Sequence, residues 1–370
     1  MIKKKSQNLI VIKVGSSSLT DKSGKLDLKN LTRIAGEIAA LRKAGKKIIL
    51  VTSGAIVTGA EKLGLIGKIK TIPQKQAAAA VGQSILMKDY EKAFAEHDVK
   101  IGQVLLTRDA IADRERYINA RNTFHELLEF DVLPIVNEND TVSVEEIKVG
   151  DNDNLSALVA SLVGADLLVI LTDVQGFFMK GESGEPELIS EIKEITPEVR
   201  NAAGHPGTQM GTGGMITKIQ AAEIATDAGI PMKIILGREE GLIERAVKEE
   251  KLGTTFIPKI SKPESKKRWL AHGLPRTGII EIDGGAESAL RKHGSSLLAV
   301  GIIAVHGEFK QGDSISIIDE AGNEVARGLV NFSSEEIEKI KGLKTDKASE
   351  VLGYKAIAEV VHRDNMVLME

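Results

Sequence analysis

Short runs of β-branched and aliphatic residues alternate with helical periodicities over the first two-thirds of the chain. The runs stand at 9–14, 47–52, 99–106, 132–136, 167–171 and 232–236. Between them, apolar positions recur at helical spacing over 28–44, 73–97, 114–129, 155–164 and 215–229. Strands separated by helices predict crossover connections, and so an α/β fold with helices packed on a largely parallel sheet. Pro73 suits the first turn of its helix, where a missing N–H costs nothing. Gly45 and Gly229 suit the left-handed position that ends a helix.

The pattern changes after 258–277, a stretch containing Pro263, Lys266-Lys267-Arg268 and Pro275 that reads as a linker. Beyond it come short strands at 278–282, 301–305, 314–318 and 324–329. Asp283-Gly284-Gly285 and Ala321-Gly322-Asn323 are the expected turns. A small β-barrel with a few helices is predicted. The expected domains are therefore 1–257 and 278–370, and 370 residues is more than one ordinary core holds.

Composition narrows the chemistry. The chain has no cysteine, which excludes disulfides, thiolate zinc sites and cysteine nucleophiles. No apolar run approaches the ~18 residues of a membrane span, and no secretory leader is expected, which favours a cytoplasmic enzyme of small molecules. The net charge of −3 is uneven: residues 278–370 hold 10 Lys and Arg against 16 Asp and Glu. A nucleic-acid module is usually basic, so the acidic second domain makes RNA binding doubtful.

The candidate chemistry lies where strands end, which is where open α/β sheets bind ligands. The first strand ends Lys13-Val14-Gly15-Ser16-Ser17. Its lysine either aims at phosphates cradled by backbone N–H groups or packs its stem and sends its head to solvent. The second ends Thr52-Ser53-Gly54, where Ser53 is a ligand contact or an N-cap. The fourth runs into Asn137-Glu138-Asn139-Asp140, followed by Gly150-Asp151-Asn152-Asp153-Asn154 ahead of a helix. Residues 137–153 carry six carboxylates and one lysine. Turns and caps account for part of this density. The repulsion also calls for a bound amine or Mg²⁺. The fifth strand ends Thr172-Asp173. Finally, Gly211-Thr212-Gly213-Gly214-Met215-Ile216-Thr217-Lys218 opens a helix, so that glycines, helix N-terminus and lysine coincide as a phosphate site. Walker, dinucleotide, serine-hydrolase and zinc-protease motifs are all missing.

These strand-end strings, in this order, closely resemble the amino acid kinase family. The most specific are Ile147-Lys148-Val149-Gly150-Asp151-Asn152-Asp153-Asn154-Leu155-Ser156-Ala157 and the glycine run ending at Lys218. Their wording points to the branch that phosphorylates glutamate. The tail, with Gly294-Ser295-Ser296-Leu297-Leu298 and Val361-His362-Arg363-Asp364, resembles a PUA domain. The resemblance implies a three-layer αβα sandwich followed by that small barrel. It implies transfer of the γ-phosphoryl of ATP, with Mg²⁺, to the side-chain carboxylate of L-glutamate, giving L-glutamyl 5-phosphate for proline synthesis. By the same resemblance, Lys13 and Lys218 stabilise the transferring phosphoryl group and Asp153 orients them. Ser53, Asp140 and Asn152 hold glutamate. Lys13, Thr172, Asp173, Thr212, Gly213, Gly214, Met215, Ile216, Thr217 and Lys218 line the ATP site. Metal ligands stay unassigned. Feedback inhibition by L-proline and assembly as a homo-oligomer, dimer or tetramer, are further implications.

Overall fold

The computed structural model describes residues 8–21, 23–107, 114–142, 151–181, 184–204, 214–248, 250–259, 276–354 and 358–369. The chain divides into two compact units, Met1–Lys262 and Pro263–Glu370. Most of the stretch expected as a linker, 260–275, lies outside the described residues.

The first unit contains β1 (Leu9–Val14), α1 (Ser16–Leu19), α2 (Leu28–Lys43), β2 (Lys47–Val51), α3 (Ala55–Lys62), α4 (Ile72–Ala95), β3 (Lys100–Leu106) and α5 (Arg114–Glu129). It continues with β4 (Val132–Glu138), α6 (Asp151–Val163), β5 (Leu167–Thr172), β6 (Phe177–Lys180), β7 (Pro186–Ile189), β8 (Glu191–Ile192) and α7 (Pro197–Gly204). It closes with α8 (Gly214–Asp227), β9 (Met232–Leu236), α9 (Leu242–Val247) and β10 (Thr254–Phe256). Eight strands form one sheet in the order β3-β4-β2-β1-β5-β9-β10-β8. The six from β3 to β9 run parallel, β10 turns antiparallel to β9, and β8 follows β10.

Both faces of the sheet are covered, and the strand pleat decides which residue goes where. Ile10, Ile12 and Val14 enter one core with Leu31, Ile34 and Ile38 of α2 and Leu86, Tyr90 and Phe94 of α4. Val11 faces the other core, with Leu155, Val159 and Leu162 of α6 and Ala221, Ala222 and Ala225 of α8. The result is the expected three-layer arrangement. Helix ends follow the local chemistry. Asp27 caps α2 by accepting from the Asn30 N–H, and Thr71 and Gln74 form a reciprocal capping box on α4. Gly45 and Gly229 sit at φ 83° and 74°, as their positions after helices require.

Two helix starts differ from the sequence reading. Asn152 and Asp153 lie in the first turn of α6 instead of in a loop before it. Acidic side chains are favoured there by the helix dipole as well as in turns, so composition could not separate the two. Lys218 is the fifth residue of α8, just past the first turn in which it was expected.

The second unit comprises β11 (Gly278–Ile282), α10 (Gly284–His293), β12 (Leu297–Leu298), β13 (Ile302–His306), β14 (Ser314–Ile318), β15 (Glu324–Leu329), α11 (Ser334–Ile340), α12 (Thr345–Leu352), β16 (Glu359–Val361) and β17 (Met366–Leu368). A five-stranded sheet runs β13-β11-β14-β15-β17, and β12 pairs with β16. Ile280, Ile282, Ile315, Ile317, Val325 and Val360 lie in its core. Asp283-Gly284-Gly285 is not a turn here. Asp283 caps α10 by accepting from the Ala286 N–H at 2.7 Å, and both glycines belong to the helix.

Helices α3 and α4 pack backbone to backbone through Gly59 and Gly82. A methyl added at Gly82 would stand 1.8 Å from the Ala55 carbonyl oxygen, and one at Gly59 would stand 1.8 Å from that of Ala78. Gly82→Ala is therefore expected to destabilise the first unit by about 1–3 kcal/mol, the usual cost of overpacking. Gly284→Ala, whose methyl meets nothing within 4 Å, should leave stability unchanged or slightly raised. Calorimetric melting of the two variants beside the parent checks both.

Candidate functional site

The carboxyl ends of β1, β2, β4 and β5 converge where the chain order of the parallel sheet reverses around β1, the position at which such sheets bind ligands. Lys13 is the last residue but one of β1. The two-residue pleat puts it on the same face as Val11, towards α6 and α8. There its Nζ meets Asp153 Oδ1 at 2.6 Å. Lys218 reaches the other oxygen of the same carboxylate, Oδ2, at 3.2 Å, and its Nζ also donates to the Gly214 carbonyl at 3.0 Å. Thr217 Oγ1 donates to Asp153 Oδ2 at 2.8 Å. Lys13, Lys218 and Asp153 are 3%, 8% and 0% exposed, so water does little to screen these charges.

Two ammonium groups thus share one carboxylate in a dry site. Burial pushes the Asp153 carboxyl up, but Lys13 and Lys218 outweigh it and hold the group below the usual carboxylate range. Burial pulls the Lys13 ammonium down from the ordinary lysine value, Asp153 opposes this, and the Lys218 charge adds to the fall. The cluster carries one positive charge in excess. An anion placed against the lysines would relieve it.

A second group of side chains adjoins Asp153 through its neighbour in sequence. Asn152 Nδ2 donates to Ser53 Oγ at 3.0 Å and to Asn137 Oδ1 at 3.1 Å. Asn137 Nδ2 in turn donates to Gln83 Oε1 of α4 at 2.8 Å. Two strand ends, those of β2 and β4, and two helices, α4 and α6, therefore meet in an amide and hydroxyl lining. Thr52 Oγ1, 2.7 Å from the Tyr90 hydroxyl, ties the end of β2 to α4 as well. Asp140 lies half-buried in the turn after β4, three residues beyond Asn137.

On the other side of Lys13, the β5 end turns back over the β1 loop. The Gly15 N–H donates to the Leu171 carbonyl at 3.3 Å, while Ser17 Oγ and Thr172 Oγ1 donate to Asp173 Oδ1 at 3.3 and 3.1 Å. A methyl on Gly15 would come 3.2 Å from Lys13 Nζ, so the bare backbone keeps the space above the ammonium open. Gly214, Met215 and Ile216 begin α8 beside Lys218, with Ile216 exposed. Thr212 and Gly213 lie outside the described residues.

The structure thus brings Lys13, Asp153, Thr217 and Lys218 into one cluster, and Ser53 and Asn152 into the lining next to it. Thr172 and Asp173 stand at the neighbouring strand end. Asn137, Gln83 and Ser17 belong to these contacts although the sequence singled out none of them as a site residue. Asn137 sits in a string already notable for its Asn and Asp content, whereas Gln83 lies within an alanine-rich helical run that carries no such signal. Both Asp153 oxygens are engaged by lysines, and among the described residues no three His, Asp or Glu side chains converge as a metal cage. Mg²⁺ fits this donor set only as a companion of phosphate oxygens, the way it is commonly held.

The profile of the amino acid kinase family matches residues 8–236, and that of the PUA domain matches 278–352. A glutamate 5-kinase of Moorella thermoacetica is 51% identical over 97% of this chain and 96% of its own length. Those of Caldanaerobacter subterraneus and a Thermoanaerobacter species are 49% and 47% identical, each over 98% of both chains. Among solved structures, a carbamate kinase of Giardia lamblia aligns with a TM-score of 0.51 at 20% identity, over 68% of this chain and 99% of its own, a likeness of fold. The chain belongs to the amino acid kinase family, and its second unit carries a PUA domain.

Proposed function

We propose that this chain transfers the γ-phosphoryl group of ATP to the side-chain carboxylate of L-glutamate, forming L-glutamyl 5-phosphate at the start of proline biosynthesis. The observation that carries the reading is the pair of buried lysines held on one carboxylate, set between a strand-end loop and an amide-lined recess. Relatives of nearly equal length and about half-identical sequence bear the name of that activity.

The acceptor carboxylate is ionised at neutral pH, so the reaction needs no general base. What it needs is two anions held in line and the spreading charge stabilised. Lys13 and Lys218 supply that charge from opposite sides of Asp153. Before ATP arrives, the carboxylate keeps the two ammonium groups from repelling each other and holds both at the site. The phosphate oxygens then take the outward-facing hydrogen bonds without the lysines having to travel. Ser53, Asn152 and Asp140 hold glutamate, with Asp140 as partner of its α-ammonium. Thr172, Asp173 and the segment from Thr212 to Lys218 hold the nucleotide, whose Mg²⁺ neutralises phosphate charge. ATP and glutamate are cytoplasmic metabolites, and the enzyme acts there.

Trapping the acyl phosphate with hydroxylamine tests the activity directly. Hydroxamate should form with glutamate, ATP and Mg²⁺ and hardly at all with aspartate. Equal yields from both amino acids, or none from either, would refute the substrate assignment.

Two substitutions separate the halves of the site. Lys218→Ala should depress kcat by roughly 10²-fold or more, the scale of losing one transition-state stabiliser. Asp140→Ala should raise the KM for glutamate far more than that for ATP. Steady-state kinetics with melting curves as control distinguishes this from a general loss of stability.

Asp153→Asn tests the charge balance. Lys13 already loses its proton below the ordinary lysine range because of burial, and Asp153 is what holds it up. Removing that negative charge lowers the Lys13 value further. The alkaline fall of kcat/KM for ATP should therefore move to lower pH in the variant. A pH profile in which that limb stays in place would show that Lys13 is not the group titrating.

A further inference from the structure

The amide lining has a direction, and one backbone group sets it. The N–H of Glu138 donates to the side-chain oxygen of Asn137 at 2.9 Å. A backbone N–H can only donate, so this bond settles which end of the Asn137 amide is oxygen. Asn137 Nδ2 must then point to Gln83, and Gln83 must present its oxygen in return. The same Asn137 oxygen receives Asn152 Nδ2, which fixes the Asn152 amide as well. Ser53 Oγ accepts from that Nδ2 and keeps its own proton to give away. The network leaves over two buried polar atoms with no hydrogen-bond partner among the described residues, the donor Gln83 Nε2 at its α4 end and the acceptor Asn152 Oδ1 beside the Ser53 hydroxyl. An acceptor next to a hydroxyl donor is the complement of an amino acid head, which offers an ammonium beside a carboxylate.

We infer that Gln83 of α4 is a positioning residue for the amino acid substrate: by accepting from Asn137 Nδ2 it locks Asn137, and through it Asn152, in the orientation that presents Asn152 Oδ1 and the Ser53 hydroxyl to the zwitterionic head of glutamate. The inference rests on the glutamate reading given above. Two further contacts place Gln83 for this task. Its neighbour Gly82 lets α4 press against the start of α3, which follows directly on Ser53 and Gly54. The Tyr90 hydroxyl, two turns further along α4, is bonded to Thr52 at the end of β2. The helix is thus fastened to the strand end on either side of Gln83. Without the Gln83 oxygen, the buried Asn137 amide would leave a donor unpaired, and turning the amide would cost it the Glu138 and Asn152 bonds instead.

The test is a double-mutant cycle on the full-length chain, read by KM for each substrate and by melting temperature. Gln83→Met should raise the KM for glutamate about tenfold, the worth of roughly one hydrogen bond, and leave the KM for ATP unchanged. In an Asn137→Ala background the same substitution should add nothing, because the residue it acts through is gone. Gln83→Ala serves as the second variant should Gln83→Met lower the melting temperature. An unchanged KM for glutamate, a parallel rise for ATP, or full additivity with Asn137→Ala would each overturn the inference. Asn152→Ala separates the two levels of the argument. If it raises the KM for glutamate while the Gln83 variants do not, the positioning role fails and the glutamate reading stands. If Asn152→Ala also leaves that KM untouched, the placement of glutamate itself is wrong.

Discussion

A single carboxylate shared by two buried lysines is the constraint on which the rest of the site depends. Unit charges about 4 Å apart interact by about 4 kcal/mol at an effective dielectric near 20, so two ammonium groups brought together without a counter-charge would separate or lose a proton. Asp153 opposes both. It is fully buried in the first turn of α6, where the helix dipole favours its charge, and α6 is in turn held by Leu155, Val159 and Leu162 against the sheet. The position of the positive charge is therefore set by the hydrophobic layer beneath it.

The same helix start links the two halves of the chemistry. Asn152 belongs to the hydroxyl and amide recess and Asp153 to the charged cluster, one residue apart on α6. Consecutive side chains on a helix diverge by about 100°, so adjacent residues can serve neighbouring compartments while one backbone turn fixes the distance between them. In the proposed reaction, the acceptor carboxylate and the phosphoryl group meet across that turn. The candidate site thus consists largely of one well-packed helix N-terminus placed over a strand end.

Much of this was legible in the sequence because strand ends announce themselves. An apolar run that stops at Gly, Ser, Thr or Asp marks a carboxyl edge, and Lys13, Ser53 and Thr172 were found that way. The parallel core strands were equally readable from their aliphatic runs. The short strands at 177–192 and 254–256 were not, since runs of two to four residues carry no periodicity to detect. The start of α6 was misplaced because Asp and Asn serve turns and helix starts alike. Gln83 was invisible for a different reason. Its partner Asn137 is 54 residues away, and a side-chain bond between distant segments leaves no local pattern. That Asp153 orients the lysines is what the family resemblance implies; the structure places its carboxylate in contact with both.

The register of β1 carries a consequence for how this enzyme can vary. Ile10, Ile12 and Val14 fill one core while Val11 and Lys13 face the other, and β1 is hydrogen-bonded on both sides, to β2 and β5. Inserting or deleting one residue there would swing Lys13 into the aliphatic packing of α2 and α4 and turn its neighbours toward Asp153. The fold and the charged cluster would fail together. Substitutions along β1 are thus graded changes, whereas a change in its length is all-or-none. Divergence in this lineage is expected to accumulate in the loops, with the spacing from Leu9 to Gly15 held constant.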